Sequence, residues 1–108
     1  MEVGIDIVEI DRLKNVSDTF LDKVLTQAEK KIYQNYSEQR KLEFLAGRFA
    51  CKEAIIKCLS EKEIPLMKDL EILNKDNGKP YIKYKDYKIK ISISHEKHYA
   101  IAMAELGE

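Results

Sequence analysis

The chain has 108 residues, of which 19 are basic and 19 acidic, for a formal net charge of zero. That length allows one modest domain with a core of its own, and the even balance excludes nucleic-acid or membrane binding driven by bulk charge. No apolar run approaches the ~20 residues of a membrane span, and the N-terminus lacks the basic region and apolar stretch of a signal peptide, so a cytoplasmic protein is expected.

Residues 2–10 read as a strand, mostly apolar and therefore expected at the centre of its sheet. Asp6 interrupts its run Val3-Gly-Ile-Asp-Ile-Val8. Ser17 or Asp18 can cap a short helix holding Phe20, Leu21, Val24 and Leu25. Thr26-Gln-Ala-Glu29 fits a capping box for a second helix reaching about Tyr36. Ser37 can cap a third, from Glu38 to about Leu59.

The third helix carries two apolar stripes, Leu42, Leu45, Phe49 and Ile56 on one side and Phe44, Cys51, Ile55 and Leu59 on the other. A helix apolar nearly all round is expected to be buried. Glu53 projects inside the first stripe, between Phe49 and Ala46, with Lys57 one turn later. Gly47 and the neighbouring alanines permit close backbone approach. Cys51 and Cys58 lie seven residues apart on this helix. At about 1.5 Å rise per residue that is roughly 10 Å, too far for a disulfide, so both are expected as buried thiols.

The second half reads as β-structure. Segments 70–74 and 80–84 flank Asn77-Gly78, a hairpin turn signal. Segments 88–94 and 99–105 alternate in polarity, joined by a loop over 94–98. Strand, helices and then an antiparallel meander make an α+β fold in a single domain over 1–108.

Asp6 and Glu53 are two carboxylates placed where the pattern expects burial, which costs several kcal/mol unless an ion, a proton or a partner offsets it. A shared divalent cation answers both. Mg²⁺ takes hard oxygen ligands and often uses only one or two carboxylates, with phosphates and water completing its shell. Taken alone, Asp6 also fits a turn-capping aspartate, and Glu53 also fits an ion pair with Lys57.

Several motifs in order carry a family resemblance: Gly4-Ile-Asp-Ile-Val-Glu-Ile-Asp-Arg12, Phe44-Leu-Ala-Gly-Arg-Phe-Ala-Cys-Lys-Glu-Ala54 with Lys57, Asn77-Gly-Lys-Pro-Tyr81, and Ile91-Ser-Ile-Ser-His95. Over nearly its whole length the chain resembles the holo-acyl-carrier-protein synthases, the small single-domain branch of the 4′-phosphopantetheinyl transferases. The resemblance implies a Mg²⁺-dependent enzyme of fatty acid biosynthesis. Such an enzyme moves the phosphopantetheine arm of coenzyme A onto a serine of an apo carrier protein and releases 3′,5′-ADP. It also implies a homotrimer with active sites at subunit interfaces. By the family pattern Asp6 and Glu53 hold the metal and Lys57 supports the phosphates. Arg48, Asn77, Gly78, Lys79, Pro80 and His95 contact coenzyme A, and Arg12, followed by Lys14, grips the acidic carrier helix. Glu53, Lys57 and His95 are the expected catalytic residues. The serine needs a base to take its proton, and Glu53 and a metal-bound water both remain open.

The residues by themselves permit plainer readings: a solvated Lys57 and Arg12, a salt-bridged Arg48, a plain hairpin at 77–80, and an exposed His95. Ser94-His95 lacks the G-x-S-x-G elbow of a hydrolase, and His95 with His98 lacks further zinc ligands. Two departures from the family pattern stand out. Ser60–Pro65 holds no glycine, and only a turn at about 85–88 replaces the helix often found there. They motivate a rival reading, a non-catalytic module binding carrier protein or coenzyme A. A second rival, an RNA-binding domain, rests on six lysines within 75–90, and the acidic residues of 1–11 count against it.

Overall fold

The structure is a computed structural model describing residues 1–108. Its elements are β1 (Glu2–Glu9), α1 (Asp18–Val24), α2 (Gln27–Gln34), α3 (Glu38–Leu59), β2 (Ile72–Asn74), β3 (Pro80–Ile82), β4 (Ile89–His95) and β5 (Tyr99–Leu106), with 3-10 turns at Ile10–Leu13 and Met67–Asp69. The α+β class, the element order and the 22-residue third helix follow the sequence reading. Ser17 rather than Asp18 caps α1, accepting from the Phe20 N–H at 3.1 Å. Thr26 and Glu29 form the reciprocal capping box of α2, and Ser37 caps α3.

β1 is not the central strand. The sheet order is β1-β5-β4, all antiparallel, so β5 is central and β1 an edge. β1 is apolar on both faces for a different reason. Gly4, Val8 and, past the strand, Ile10 turn to the core, while Val3, Ile5 and Ile7 face outward and are 56–61% exposed. Met103 and Ile101 of β5, opposite Ile5 and Ile7, and Tyr99, opposite Glu9, extend the same outward face. The expected single meander is also divided, because β2 and β3 form their own two-stranded ladder and the latter packs beside β4 without joining it.

α3 crosses the inner face of the three-stranded sheet. Small residues set the separation: Gly47, Ala50 and Ala54 on the helix meet Gly4, Ala100, Ala102 and Ala104 on the strands, all buried. A Cβ at Gly4 would lie 1.9 Å from the Ala54 carbonyl oxygen, so only glycine lets β1 run this close to α3. The stripe Phe44, Cys51, Ile55 and Leu59 is fully buried. In the other stripe Leu45 is buried, but Leu42, Phe49 and Ile56 are only half-buried, which leaves that side of the helix partly open. Cys51 and Cys58 are buried free thiols, and burial pushes Cys51 up to about 12. No helix is long and apolar enough to cross a membrane.

Candidate functional site

The close approach of Gly4 to Ala54 brings Asp6, two residues further along β1, beside Glu53 on α3. Both line one groove of about 430 Å³, walled by Val8, Phe20 and Phe49, with Arg12 of the first 3-10 turn also on it. The anticipated deep burial does not occur. Asp6 is 20% exposed and Glu53 is half-buried, because the groove opens along the incompletely covered stripe of α3. Lys57 turns to Asp6 rather than to Glu53: its Nζ lies 3.3 Å from Asp6 Oδ1 and donates to the Ile5 carbonyl at 2.8 Å. Glu53 is left without an ion-pair partner.

No group of three or more His, Cys, Asp or Glu side chains is arranged to hold a metal. What the groove offers is two carboxylates, one of them unpaired, on rigid elements. This hard-oxygen pair fits Mg²⁺, which completes its shell with phosphate oxygens and water, and does not fit a closed all-protein cage.

A second, smaller cleft of about 180 Å³ gathers Arg48, Asn74, Gly78, Pro80 and His95, and the paired Arg40 and Glu43 also line it. Of the expected coenzyme A contacts, Arg48, Gly78, Pro80 and His95 are together here. Asn77 and Lys79 are exposed on the turn outside it, where Asn77 Oδ1 accepts from the Lys79 N–H at 3.0 Å. Gly78 has φ 89°, the left-handed conformation that makes the Asn-Gly turn. The cleft and the groove share no lining residue within the chain.

The fully buried carboxylate is one that the sequence assigned only to a cap. Glu29 is 0% exposed, as is Lys52, and Arg48 is 5% exposed. Lys52 Nζ donates to Glu29 Oε1 at 2.6 Å, to the Val24 carbonyl at 2.6 Å and to the Met67 carbonyl at 3.1 Å. Glu29 Oε2 accepts from the Ile72 N–H at 2.9 Å. Arg48 stacks over the Phe44 ring, and its Nη2 donates to the Ile72 carbonyl and to Asn74 Oδ1. Its Nε lies 4.0 Å from Glu29 Oε2 and has no hydrogen-bond partner. Burial lowers the pKa of both cations, against the pull of Glu29. The signal in the sequence was faint: Glu29 and Lys52 sit in polar positions of helices that turn out to be packed on that side.

The post-helix segment that lacks glycine is held differently. Glu63 accepts from Tyr84 Oη, Tyr87 Oη and Lys85 Nζ, at 2.7 to 3.0 Å, so the short turn after β3 is clasped to the loop after α3.

Residues 2–104 match the family described as the 4′-phosphopantetheinyl transferase superfamily. The chain belongs to that superfamily. It is 45% identical to a holo-[acyl-carrier-protein] synthase of Geobacillus sp. (strain WCH70), covering 93% of this chain and 90% of that protein. A holo-[acyl-carrier-protein] synthase of Staphylococcus saprophyticus is 43% identical over 96% of this chain and 95% of its own. Among solved structures, the holo-(acyl-carrier-protein) synthase of Bacillus anthracis in complex with CoA (3′,5′-ADP) superimposes with a TM-score of 0.88 at 35% identity, covering 97% of this chain and 94% of that one. The family resemblance carried by the sequence motifs is thus borne out, along with the fold.

Proposed function

We propose that this chain transfers the 4′-phosphopantetheine group of coenzyme A to a serine of an apo-acyl-carrier protein, giving holo carrier and 3′,5′-ADP, in the cytoplasm and in service of fatty acid biosynthesis. The observation that carries this reading is the groove that joins Asp6, Glu53 and Arg12 in a chain of this family.

Asp6 and Glu53 would hold Mg²⁺. When bound there, the ion supplies charge neutralisation of the diphosphate and alignment of the leaving group for in-line displacement. The residues of the chain do the rest. Lys57, anchored on Asp6, holds its ammonium beside the proposed metal ligand, where it would stabilise phosphoryl charge. Glu53, free of an internal ion pair, is available to take the serine proton. Arg12, exposed at the groove rim, pairs with acidic side chains of the carrier and orients it. Arg48, with the His95 imidazole and against Gly78 and Pro80, suits the phosphorylated nucleotide in the second cleft.

Because groove and cleft are separate within one chain, a coenzyme A molecule reaching both sets of groups is best accommodated between subunits. The outward face of Val3, Ile5, Ile7, Tyr99, Ile101 and Met103 is a contiguous apolar patch of the kind that marks an association surface, and we assign it to a homotrimer.

The test is to combine the protein, coenzyme A, Mg²⁺ and an apo-acyl-carrier protein and weigh the carrier. A mass gain of one phosphopantetheine is expected. Coenzyme A binding without any gain, across several carrier proteins, would overturn the reading in favour of a non-catalytic binding module.

A further inference from the structure

Within the cleft lined by Arg48, Gly78 and His95, the residues that touch a ligand are not the ones that fix its shape. Glu29 is completely buried and lies behind it. Its Oε1 takes Lys52 Nζ and the Thr26 N–H, and its Oε2 takes the Ile72 N–H, so β2 is pinned to α2 through one carboxylate. From Ile72 the connection continues outward. Arg48 Nη2 bonds the Ile72 carbonyl at 3.2 Å and Asn74 Oδ1 at 2.7 Å, and Asn74 Nδ2 bonds the Gly78 carbonyl at 2.8 Å. The run Glu29–Ile72–Arg48–Asn74–Gly78 therefore leads unbroken from the core to the cleft wall.

Charge points the same way. One carboxylate faces two cations, Lys52 and Arg48, leaving this buried group one positive charge in excess. Lys52 is enclosed by Glu29 and two carbonyls. The uncompensated cation is Arg48, the member that reaches the cleft. Phe44 fixes the plane of its guanidinium from one side, and Ile72 and Asn74 fix Nη2. A pre-oriented guanidinium binds a phosphate without first losing side-chain freedom.

We infer that Glu29 is a positioning residue for nucleotide binding: with Lys52 it holds β2 and the Arg48 guanidinium so that Arg48, Gly78 and His95 present one preformed anion-binding cleft. This rests on the reading that the cleft receives the nucleotide end of coenzyme A.

Binding of 3′,5′-ADP by calorimetry is the readout. Glu29→Gln is expected to weaken it about tenfold and to raise the KM for coenzyme A alike, with the KM for the carrier protein unchanged and kcat within about twofold, as expected for lost uniform binding. The Gly78 amide NMR resonance should move without ligand. If Glu29→Gln does not fold, Glu29→Gln with Lys52→Met removes the buried pair together and is expected to show the same loss. Asn74→Ala, at an exposed position, should reproduce a smaller part of it. A variant that melts earlier yet binds 3′,5′-ADP as wild type does would overturn the inference and leave Glu29 merely structural. Equal weakening toward coenzyme A and carrier would overturn it too. Binding is measured without turnover, so absence of phosphopantetheine transfer would count against the proposed reaction alone.

Discussion

Lys57 spans from the last turns of α3 to β1 and pairs with Asp6, its Nζ 3.3 Å from Oδ1, while Glu53 one helical turn away stays unpaired. The two carboxylates of the groove are therefore unequal: one is already partnered by a cation, and the other is available. Removing either should have different consequences for folding and the same consequence for chemistry.

For Asp6→Asn the expected outcome is a folded protein whose transfer rate falls by at least ~100-fold, the scale for losing electrostatic stabilisation of developing charge. Steady-state transfer to apo carrier protein at saturating Mg²⁺ measures it. A folded Asp6→Asn protein at full activity would remove Asp6 from the metal role.

Gly4→Ala places a methyl group 1.9 Å from the Ala54 carbonyl oxygen. Neither atom belongs to a flexible side chain, so β1 and α3 must part. A cost of about 3 kcal/mol, at the upper end of ordinary overpacking, is expected. Thermal unfolding should show a midpoint lower by more than ~10 °C, since 1 kcal/mol moves a domain of this size by ~4–8 °C. An unchanged midpoint would contradict the packing described.

Glu63 predicts a pH dependence. Hydrogen bonds from Lys85, Tyr87 and Tyr84 lower its carboxyl from 4.5 to about 2. A folded-state pKa below the unfolded one means that the ionised form favours the folded state. The contribution is then fully present above about 4.5 and is lost as pH falls through 4.5 toward 2. Denaturant unfolding of wild type and Glu63→Gln should differ at pH 7 and converge near pH 2. A difference that grows on acidification would show the opposite sign and refute the clasp.

Ile7→Lys puts a charge in the middle of the outward face of β1, where Ile7 is 61% exposed. Light scattering is expected to give three times the 12.6 kDa chain for wild type and one chain for the variant. Activity should fall with the mass, because groove and cleft would no longer be brought together from neighbouring subunits. A variant that is monomeric and fully active would place the whole site within one chain.

Much of the fold is legible in the sequence because its signals are local. Ser17, Thr26 with Glu29, and Ser37 each cap a helix through bonds to residues three positions on, and Asn77-Gly78 makes its turn within four residues. The motifs singled out Asp6, Arg12, Arg48, Glu53 and His95, and the structure places them along one groove and one cleft.

By itself, then, the sequence determined the elements, most of their caps and the family, and it singled out the side chains proposed for the chemistry, since each depends on residue type at short spacing. Only the tertiary structure decided which carboxylate is buried, which strand is central and which partner Lys57 takes. Those depend on long-range packing: Gly4 against Ala54 opens Asp6 and Glu53 to a groove, and β2 closing over α2 seals Glu29 and Lys52 together. No periodicity along the chain records that closure, because the residues that meet in it are more than twenty positions apart.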